Sequence, residues 1–269
     1  MPTLRTDTVR GLLGPAEPAL RLARYFPSAD LAAFVEHFWI VEWDRRGHPP
    51  LCEETLPHPC VHVVFEPHGA HVYGIMRGRF VRELSGQGRV FAIKFRPGAF
   101  SPILGAPLST LTDRVLEAGR VFGPATAIVA ARLRACATDA EQLALGEAFL
   151  RETLPAPDPM ASAVGETVER LLREADPLSV DDLAGRLGLR PRALQRLFSR
   201  YIGVSPKWVL KRARLHEAAE RITAGGASAG LSWAQLAHEL GYFDQAHFIH
   251  DFKTVVGRTP GNYARRRGR

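Results

Sequence analysis

The sequence predicts an α+β protein, with an N-terminal domain of strands and a helical hairpin followed by an all-α C-terminal domain. Strand-like segments dominate the first hundred residues, apolar residues spaced by three and four dominate after about residue 111, and one helical pattern occurs twice near the C-terminus. With 269 residues, 46% hydrophobic and 23% charged, the composition is typical of a soluble globular chain long enough for two domains.

The predicted N-terminal domain spans residues 1–155 and is β-rich to about residue 110. Its strand-like segments are 60–66, 70–76 and 89–96, which are separated by turns rich in Gly, Pro and His. Residues 111–153 are predicted to be helical, with Pro124 and Asp139 as start signals for the two helices of the hairpin.

A proline-rich segment separates the two predicted domains. Pro155, Pro157 and Pro159 lie within five residues, and prolines at this density favour extended backbone. The sequence therefore predicts a linker at 156–162 and a C-terminal domain at 163–269.

The excess positive charge belongs to the C-terminal part of the chain. Residues 162–269 hold 18 Lys and Arg against 11 Asp and Glu, whereas residues 1–161 hold 17 of each. Such asymmetry favours a polyanionic partner for the C-terminal part, because Lys and Arg that neutralise phosphates release bound counterions. On charge alone, a solvated basic surface explains the pattern equally well.

The chain is expected to be cytoplasmic, with no membrane partner. Its longest apolar runs are interrupted well before the roughly 18 residues that a membrane span needs. The first residues lack the layout of a secretory signal, and the three cysteines, Cys52, Cys60 and Cys136, cannot all be paired.

The C-terminal domain contains an internal repeat. The sequence LAGRLG at 183–188 recurs as LAHELG at 236–241, an offset of 53. Further along, Leu194 and Phe198 match Phe248 and Phe252 at an offset of 54. The two halves are therefore copies of one unit, and the second copy has one extra residue in its turn.

Each copy has the pattern of a helix-turn-helix. In the first, Ser179 is predicted to cap a helix, Gly188 to form the turn and Pro191 to begin a second helix. In the second, Ser232 caps, Gly241 turns and Asp244 caps the following helix. The residues that the helical period leaves exposed are Arg192, Gln195, Arg196 and Ser199 in the first copy, and Gln245, Ala246, His247 and His250 in the second.

This design suits the major groove of DNA. The groove admits one helix, in which Arg can bond guanine and Gln can bond adenine. Residues 206–223 are predicted to form a helix roughly 27 Å long at 1.5 Å per residue, which could hold recognition helices near 191–201 and 245–253 about one DNA turn apart. Arg200, Lys211, Arg212 and Arg214 are either phosphate contacts or a solvated helix face, and the second alternative is favoured.

The last hundred residues resemble the DNA-binding domain of the AraC/XylS family of transcription regulators. The segments that carry the resemblance are LAGRLGLRPRALQRLFSRYIGVSPKWVLKRARLHEA and LAHELGYFDQAHFIHDFKTVVGRTPGNYARR. The resemblance implies a sequence-specific regulator of promoter DNA, not an enzyme, which reads DNA with the exposed residues named above.

Two positions depart from the family pattern. Arg190 replaces the usual Ser or Thr, which weakens the cap or supplies a phosphate contact, and His250 replaces an Arg.

The segment FAIKFRPGAFSPILGAPLSTLTDR resembles the N-terminal domains of a subset of AraC-type regulators, in which an F.PG element follows a strand. This resemblance implies a cupin-type, β-barrel-like domain that senses a small-molecule effector, dimerises, or does both. RNA polymerase and a second copy of the chain are the further partners that it allows.

The candidate effector-binding residues are Glu66, Lys94, Arg96 and His62. Lys94 and Arg96 share one face of a strand and, with Glu66, could orient an acidic or polar molecule. The alternative, which is favoured, turns both side chains to solvent while Phe91, Ile93 and Phe95 fill the core.

His58, Cys60 and His62 could converge as ligands of a metal ion. A polar strand face is the more common origin of such a pattern, so no metal or cofactor is predicted. Two rival functions stay open. One is an enzyme that transfers alkyl groups from damaged DNA to a cysteine thiolate. The other is a protein that binds polymerase through the basic surface without reading sequence.

Overall fold

The computed structural model describes residues 20–174, 178–225 and 232–267, and these ranges contain eight strands and eleven α-helices. The strands are β1 (Leu20–Tyr25), β2 (Val35–Arg45), β3 (Leu51–Thr55), β4 (His62–Glu66), β5 (Gly69–Tyr73), β6 (Phe80–Leu84), β7 (Gly86–Phe95) and β8 (Val115–Glu117). The helices are α1 (Ser101–Leu104), α2 (Gly119–Phe122), α3 (Thr126–Ala135), α4 (Asp139–Thr153), α5 (Pro159–Glu174), α6 (Val180–Arg186), α7 (Pro191–Leu197), α8 (Pro206–Gly225), α9 (Trp233–Glu239), α10 (Gln245–Val256) and α11 (Pro260–Arg267). None of these helices is both long and apolar enough to span a bilayer.

Six of the strands form one antiparallel sheet in the order β1-β2-β7-β4-β5-β8, and β3 pairs with β6 in a separate ribbon. The predicted α+β organisation is confirmed, and the three predicted strands correspond to β4, β5 and β7. Among the described residues the sheet and the ribbon do not join into a closed barrel.

The two faces of the six-stranded sheet have different coverings. One face carries Phe38, Phe91 and Ile93 into the main core, where Gly146 of α4 leaves room for the Phe91 ring. The other face carries a smaller apolar cluster of Val64, Val90 and Ala92, with Trp39, Trp43 and Tyr73 packed against it. The ribbon reaches this second face through Arg82 of β6, which donates to Glu66 of β4 at 2.7 Å. The ribbon is therefore joined to the second face of the sheet at the Glu66 end of β4.

The prediction of unbroken helical structure at 111–153 is wrong at its start. Residues Val115–Glu117 form β8, which pairs with β5 at the sheet edge, and α3 begins at Thr126 rather than at Pro124. The second predicted helix is confirmed as α4, for which Thr138 and Glu141 form a capping box. Three residues are too few for a periodic pattern, so β8 is recognisable only from its partner strand.

The predicted linker at 156–162 is only partly extended. Helix α5 begins at Pro159, within the proline-rich segment. Proline is well tolerated in the first turn of a helix, because its missing N–H would have no partner there. The third proline of the cluster therefore starts a helix, and the domain boundaries of 155 and 163 stay a prediction.

Helix α5 lies directly against the F.PG element of the N-terminal domain. A Cβ at Gly165 of α5 would overlap the carbonyl oxygen of Pro97, and a Cβ at Gly98 would lie 2.5 Å from the carbonyl oxygen of Ala161. Gly98 has a φ of +83°, which side-chain-bearing residues rarely adopt. Glycine at these two positions lets the backbones of the two domains come into contact.

Helix α8 is shared by two hydrophobic cores. Val209 and Leu210, near its start, belong to the main core that includes α6, α7 and the sheet. Leu215, Ala218 and Ile222, further along, belong to a second core with α9, α10 and α11. The predicted rod at 206–223 is thus confirmed as a helix that is anchored at both ends.

We expect Gly165→Ala to lower the free energy of unfolding by about 1–3 kcal/mol, because the added methyl group forces α5 away from Pro97. Gly185 of α6 is the matched control, since a Cβ there meets no atom within 4 Å. Gly185→Ala should raise stability by up to about 1 kcal/mol through helix propensity. Urea unfolding, followed by tryptophan fluorescence, measures the free energy of unfolding of both variants. A change of the same sign in the two variants would contradict the close approach of α5 to Pro97.

Candidate nucleic-acid interface

The first helical unit, α6 and α7, has the local structure that its sequence predicts. Ser179 accepts a hydrogen bond from the Asp182 N–H, and the Asp182 carboxylate accepts one from the Ser179 N–H, so the two residues form a capping box. Gly188 turns the chain with a φ of +64°, and Pro191 is the first residue of α7. The buried residues Leu194 and Phe198 fix which side of α7 faces the core.

The second unit, α9 and α10, repeats this arrangement. Ser232 caps α9 by accepting from the Gln235 N–H, and Asp244 caps α10 by accepting from the His247 N–H at 2.7 Å. Gly241 has a φ of +72°, close to that of Gly188. The predicted caps and turns of both units are confirmed.

All of the side chains that were predicted to face a nucleic acid are exposed. They are Arg190, Arg192, Gln195, Arg196 and Ser199 in the first unit, and Gln245, Ala246, His247 and His250 in the second. The five from the first unit line one open depression on the surface, together with Ala193. Because the opposite side of each helix is buried, neither helix can rotate these groups inward without losing its core contacts.

The end of the first recognition helix lies against the N-terminal domain. Beyond Leu197 the helix continues as a π-helical turn, Phe198–Ile202, which ends at Gly203 with a φ of +87°. Ser199 donates to the hydroxyl of Ser109 at 3.1 Å, and Thr112 donates to the Gly203 carbonyl at 2.6 Å. One of the predicted DNA-contacting residues is therefore also an interdomain contact.

The prediction of a solvated basic face on α8 is wrong. Arg212 is 2% exposed, donates to the Arg77 carbonyl at 2.7 Å and lies over the Trp208 ring. Burial lowers the pKa of Arg212 to about 9. Lys211 pairs with Asp251 of α10, and Arg214 donates to the Leu178 carbonyl, so these side chains join elements instead of meeting phosphates.

Only two of the four candidate effector residues come together. His62 of β4 and Lys94 of β7 are cross-strand partners, and His37 of β2 lies on the other side of Lys94. We call this row, His37–Lys94–His62, the cationic rung. It lies at one end of the sheet face that the ribbon covers.

The prediction that Lys94 points to solvent is wrong, whereas the Arg96 side chain is partly exposed. Lys94 is 8% exposed and donates to the Glu36 carboxylate at 3.0 Å. Arg96 donates to the Ala32 carbonyl and, at 2.6 Å, to Glu169 of α5. Its guanidinium therefore ties the end of β7 to the helix that begins the C-terminal domain.

The candidate residue Glu66 lies elsewhere on the same strand. It is four residues from His62, which corresponds to roughly 13 Å along a strand. Its carboxylate accepts from Tyr73 at 2.6 Å and from Arg82 at 2.7 Å. Glu66 therefore belongs to the junction between sheet and ribbon.

The charges around the cationic rung are set by burial. Burial lowers the pKa of His37 to about 4 and that of His62 to about 3, and Lys94 adds to both effects. Burial alone would raise the pKa of Glu36, but Lys94 and His37 hold it well below its usual range. At neutral pH His37 and His62 are therefore neutral, and Lys94 between them forms an ion pair with Glu36. His62 accepts a hydrogen bond from the Trp39 indole at 3.2 Å.

Glu36 and His37 were not among the predicted site residues. The available signal was their position: two adjacent polar residues interrupt the apolar run that forms β2. A polar pair inside a strand of this kind needs a partner, and that partner is the buried Lys94.

His58, Cys60 and His62 do not gather into one group with the spacing of metal ligands in the described part of the chain. His58 stacks on His216 of α8 with 4.2 Å between ring centroids, and the described parts of the chain contain no group of three or more His, Cys, Asp and Glu placed to hold a metal ion. Burial raises the pKa of Cys60 to about 12. This thiol is unsuited to the thiolate chemistry that the alkyl-transfer hypothesis requires.

Helix α7 begins with a weak cap, because Arg190 occupies the N-cap position with extended backbone and makes no side-chain cap hydrogen bond. We expect Arg190→Ser to raise the free energy of unfolding by about 0.5–1 kcal/mol, since a hydroxyl there can accept from the backbone N–H groups of the first turn. Thermal unfolding measures the effect. Ser179→Ala is the control of opposite sign, and a loss of stability in Arg190→Ser would show that the guanidinium has a structural role.

Two domain families match the chain. A domain of unknown function (DUF6597) matches residues 23–117, which contain all of the sheet except the start of β1, and a helix-turn-helix domain matches residues 183–266, which contain both helical units except the start of α6.

Two curated proteins that are similar to part of this chain are named as transcription regulators. The XylDLEGF operon transcriptional activator 1 of Pseudomonas putida is 26% identical over 123 residues, which are 46% of this chain and 36% of that protein. An uncharacterized HTH-type transcriptional regulator of Bacillus subtilis, YtdP, is 31% identical over 86 residues, which are 32% of this chain and 11% of that protein. The chain thus spans about a third or less of the length of these relatives.

Among solved structures, the C-terminal domain of AraT, a response regulator from Geobacillus stearothermophilus, is 25% identical and covers 40% of this chain and 85% of that chain, with a TM-score of 0.34. The duplicated, capped helical units agree with the helix-turn-helix domain match. The part of the chain that matches, residues 183–266, is a helix-turn-helix domain, and the chain is similar to AraC/XylS-type transcription regulators such as the XylDLEGF activator.

Proposed function

We propose that the chain regulates transcription by reading double-stranded promoter DNA with α7 and α10, and that a small molecule bound by the N-terminal domain controls this binding. The observation that carries the proposal is the matched exposure of the two units. Each presents a row of polar or basic side chains near the start of a helix whose other side is fixed in a core. That is the presentation which the major groove requires.

The charge distribution supports a nucleic-acid partner. The net positive charge is confined to residues 162–269, where it coincides with the exposed recognition residues. Electrostatic attraction to phosphates supplies most of the sequence-independent affinity of such domains. The alternative of a merely solvated basic surface leaves unexplained why this charge accompanies two groove-sized helices.

The roles of the exposed residues follow from their chemistry. Arg192 and Arg196 suit guanine, and Gln195 suits adenine, because each can form two hydrogen bonds to the major-groove edge. Arg190 and Ser199, at the two ends of the row, suit the phosphate backbone. In the second unit Gln245 suits adenine, whereas His247 and His250 offer less to guanine than arginine would.

Helix α8 sets the distance between the two units. Its 20 residues correspond to about 30 Å at 1.5 Å per residue, which is close to the roughly 34 Å of one DNA turn. Because α8 belongs to both cores, the spacing is rigid. One chain can then contact neighbouring major grooves on one face of a duplex.

Effector control is supported by the contacts of the N-terminal domain with both units. Ser109 and Thr112 contact the end of the first recognition helix. Leu56, which follows β3, is buried in the core of the second unit, and Glu54 of β3 pairs with Arg258. A ligand that moved the ribbon against the sheet would therefore disturb the contact between the N-terminal domain and the second unit.

The proposed effector site lies between the sheet and the ribbon, where Trp39 and Trp43 provide apolar surface and the cationic rung provides charge. A small acidic or polar molecule fits this chemistry, since its acidic group could compete with Glu36 for Lys94. A homodimer and contact with RNA polymerase remain predictions.

We expect Arg192→Ala and Arg196→Ala each to weaken specific DNA binding by about 1–3 kcal/mol. The duplex is first selected from a random-sequence pool with the full chain, and affinity is then measured by fluorescence anisotropy at fixed salt with excess random competitor. Arg173→Ala, at an exposed position of α5, removes the same charge and serves as the control.

Two results would contradict the assignment. If the two arginine variants bound the selected duplex as tightly as the control, these side chains would not be the readers. If random competitor displaced the selected duplex completely, the basic surface would bind DNA without reading sequence.

We expect an effector at 100 times its Kd to stabilise the folded chain by about 2.7 kcal/mol, and therefore to raise its melting temperature. A thermal-shift screen of small carboxylic acids and neutral analogues identifies such a ligand. Lys94→Gln should abolish the shift, whereas Arg46→Gln, at an exposed position of the loop after β2, should retain it. An equal shift in wild type and Lys94→Gln would place the ligand away from the cationic rung.

A further inference from the structure

The most exposed large hydrophobic side chain in the described parts of the chain is Phe243. It is 95% exposed, and the next in rank, Ile128, is 67% exposed. A phenylalanine side chain left wholly in water forgoes the favourable burial that its area offers. Its neighbour Tyr242 is 6% exposed and packs against Phe248, so the exposure is a property of one position rather than of the whole turn.

Comparison of the two units identifies Phe243 as the inserted residue. The N–H of Leu189 donates to the Ala184 carbonyl at 2.9 Å, and the N–H of Tyr242 donates to the Ala237 carbonyl at the same distance, so Leu189 and Tyr242 are equivalent. In the first unit the next residue is already the N-cap of the recognition helix. In the second, Phe243 comes between, and the cap is Asp244.

The insertion lies at the end of α10 that faces the bases in the proposed function. Phe243 directly precedes the N-cap, and the exposed residues Gln245 and Ala246 follow within three positions. The beginning of this helix thus offers two apolar side chains and one amide, beside the Asp244 carboxylate that caps the helix. The first unit has Arg190 and Arg192 in the corresponding region, so the two units differ in chemistry where they would meet DNA.

We propose that Phe243 is a specificity-determining residue that contacts the C5-methyl group of a thymine in the major groove; this inference rests on the proposed function. Thymine carries the apolar group of the major-groove edge, and aromatic side chains can read it by contact. Phe243 carries no charge for a phosphate and no donor for guanine. The first unit therefore reads guanine through arginine, and the second adds thymine through apolar contact.

The test compares thymine with deoxyuridine, which lacks only the methyl group. The probe is the duplex selected with the wild-type full chain, in which each thymine of the half-site bound by α10 is replaced in turn. For wild type, we expect one replacement to weaken binding about 3- to 10-fold, as the loss of one buried methyl group implies. Phe243→Ala should bind the unmodified duplex about 5- to 30-fold more weakly and should lose less than about 2-fold on that same replacement.

Ile128→Ala is the matched control, since it removes an exposed apolar side chain of α3 in the N-terminal domain and should keep the full thymine dependence. Thymine dependence that persists unchanged in Phe243→Ala, or is missing from wild type, overturns the inference while leaving the proposed function in place. The inference is also overturned if Phe243→Ala binds DNA with unchanged affinity but no longer binds RNA polymerase or a second copy of the chain. Failure to select any duplex overturns the proposed function itself, and the inference with it.

Discussion

The sharing of α8 between two hydrophobic cores is the constraint on which the rest of the DNA-binding domain depends. A helix that was anchored at one end only would let the second unit swing relative to the first. Here Val209 and Leu210 are buried with one unit, and Leu215 and Ile222 with the other, so any change in spacing exposes apolar surface. The separation of the two recognition helices is therefore a property of core packing.

The middle of α8 also ties this domain to the N-terminal one. Arg212 is buried between the two cores, with its guanidinium over Trp208 and a hydrogen bond to the Arg77 carbonyl. Within the described ranges no carboxylate pairs with this guanidinium; its burial is costly because the charge loses its hydration, and the lowered pKa of Arg212 reflects that cost. Arg212 therefore stabilises the contact between the two domains only while the Arg77 carbonyl and the Trp208 ring stay in place. Small displacements of either group weaken that contact.

The N-terminal domain contacts the two units through different elements. The segment around Ser109 and Thr112 meets the first unit, whereas the β3–β6 ribbon and Leu56 meet the second. The proposed effector site lies between the sheet and this ribbon. A ligand there would act on the second unit most directly, and this is the unit that carries the inserted, exposed Phe243.

The sequence by itself determined the duplicated units, their caps and turns, and the faces of α7 and α10 that are exposed. These features are local: a cap such as Ser179 acts within one turn, Gly188 and Gly241 act on their own φ angles, and the helical period assigns each side chain to a face. The tertiary structure alone decided that Lys94 pairs with Glu36, that Arg96 reaches α5, that Arg212 is buried and that β8 completes the sheet. Each of these depends on a partner distant in the chain, and local periodicity carries no information about which distant segment arrives opposite a given side chain.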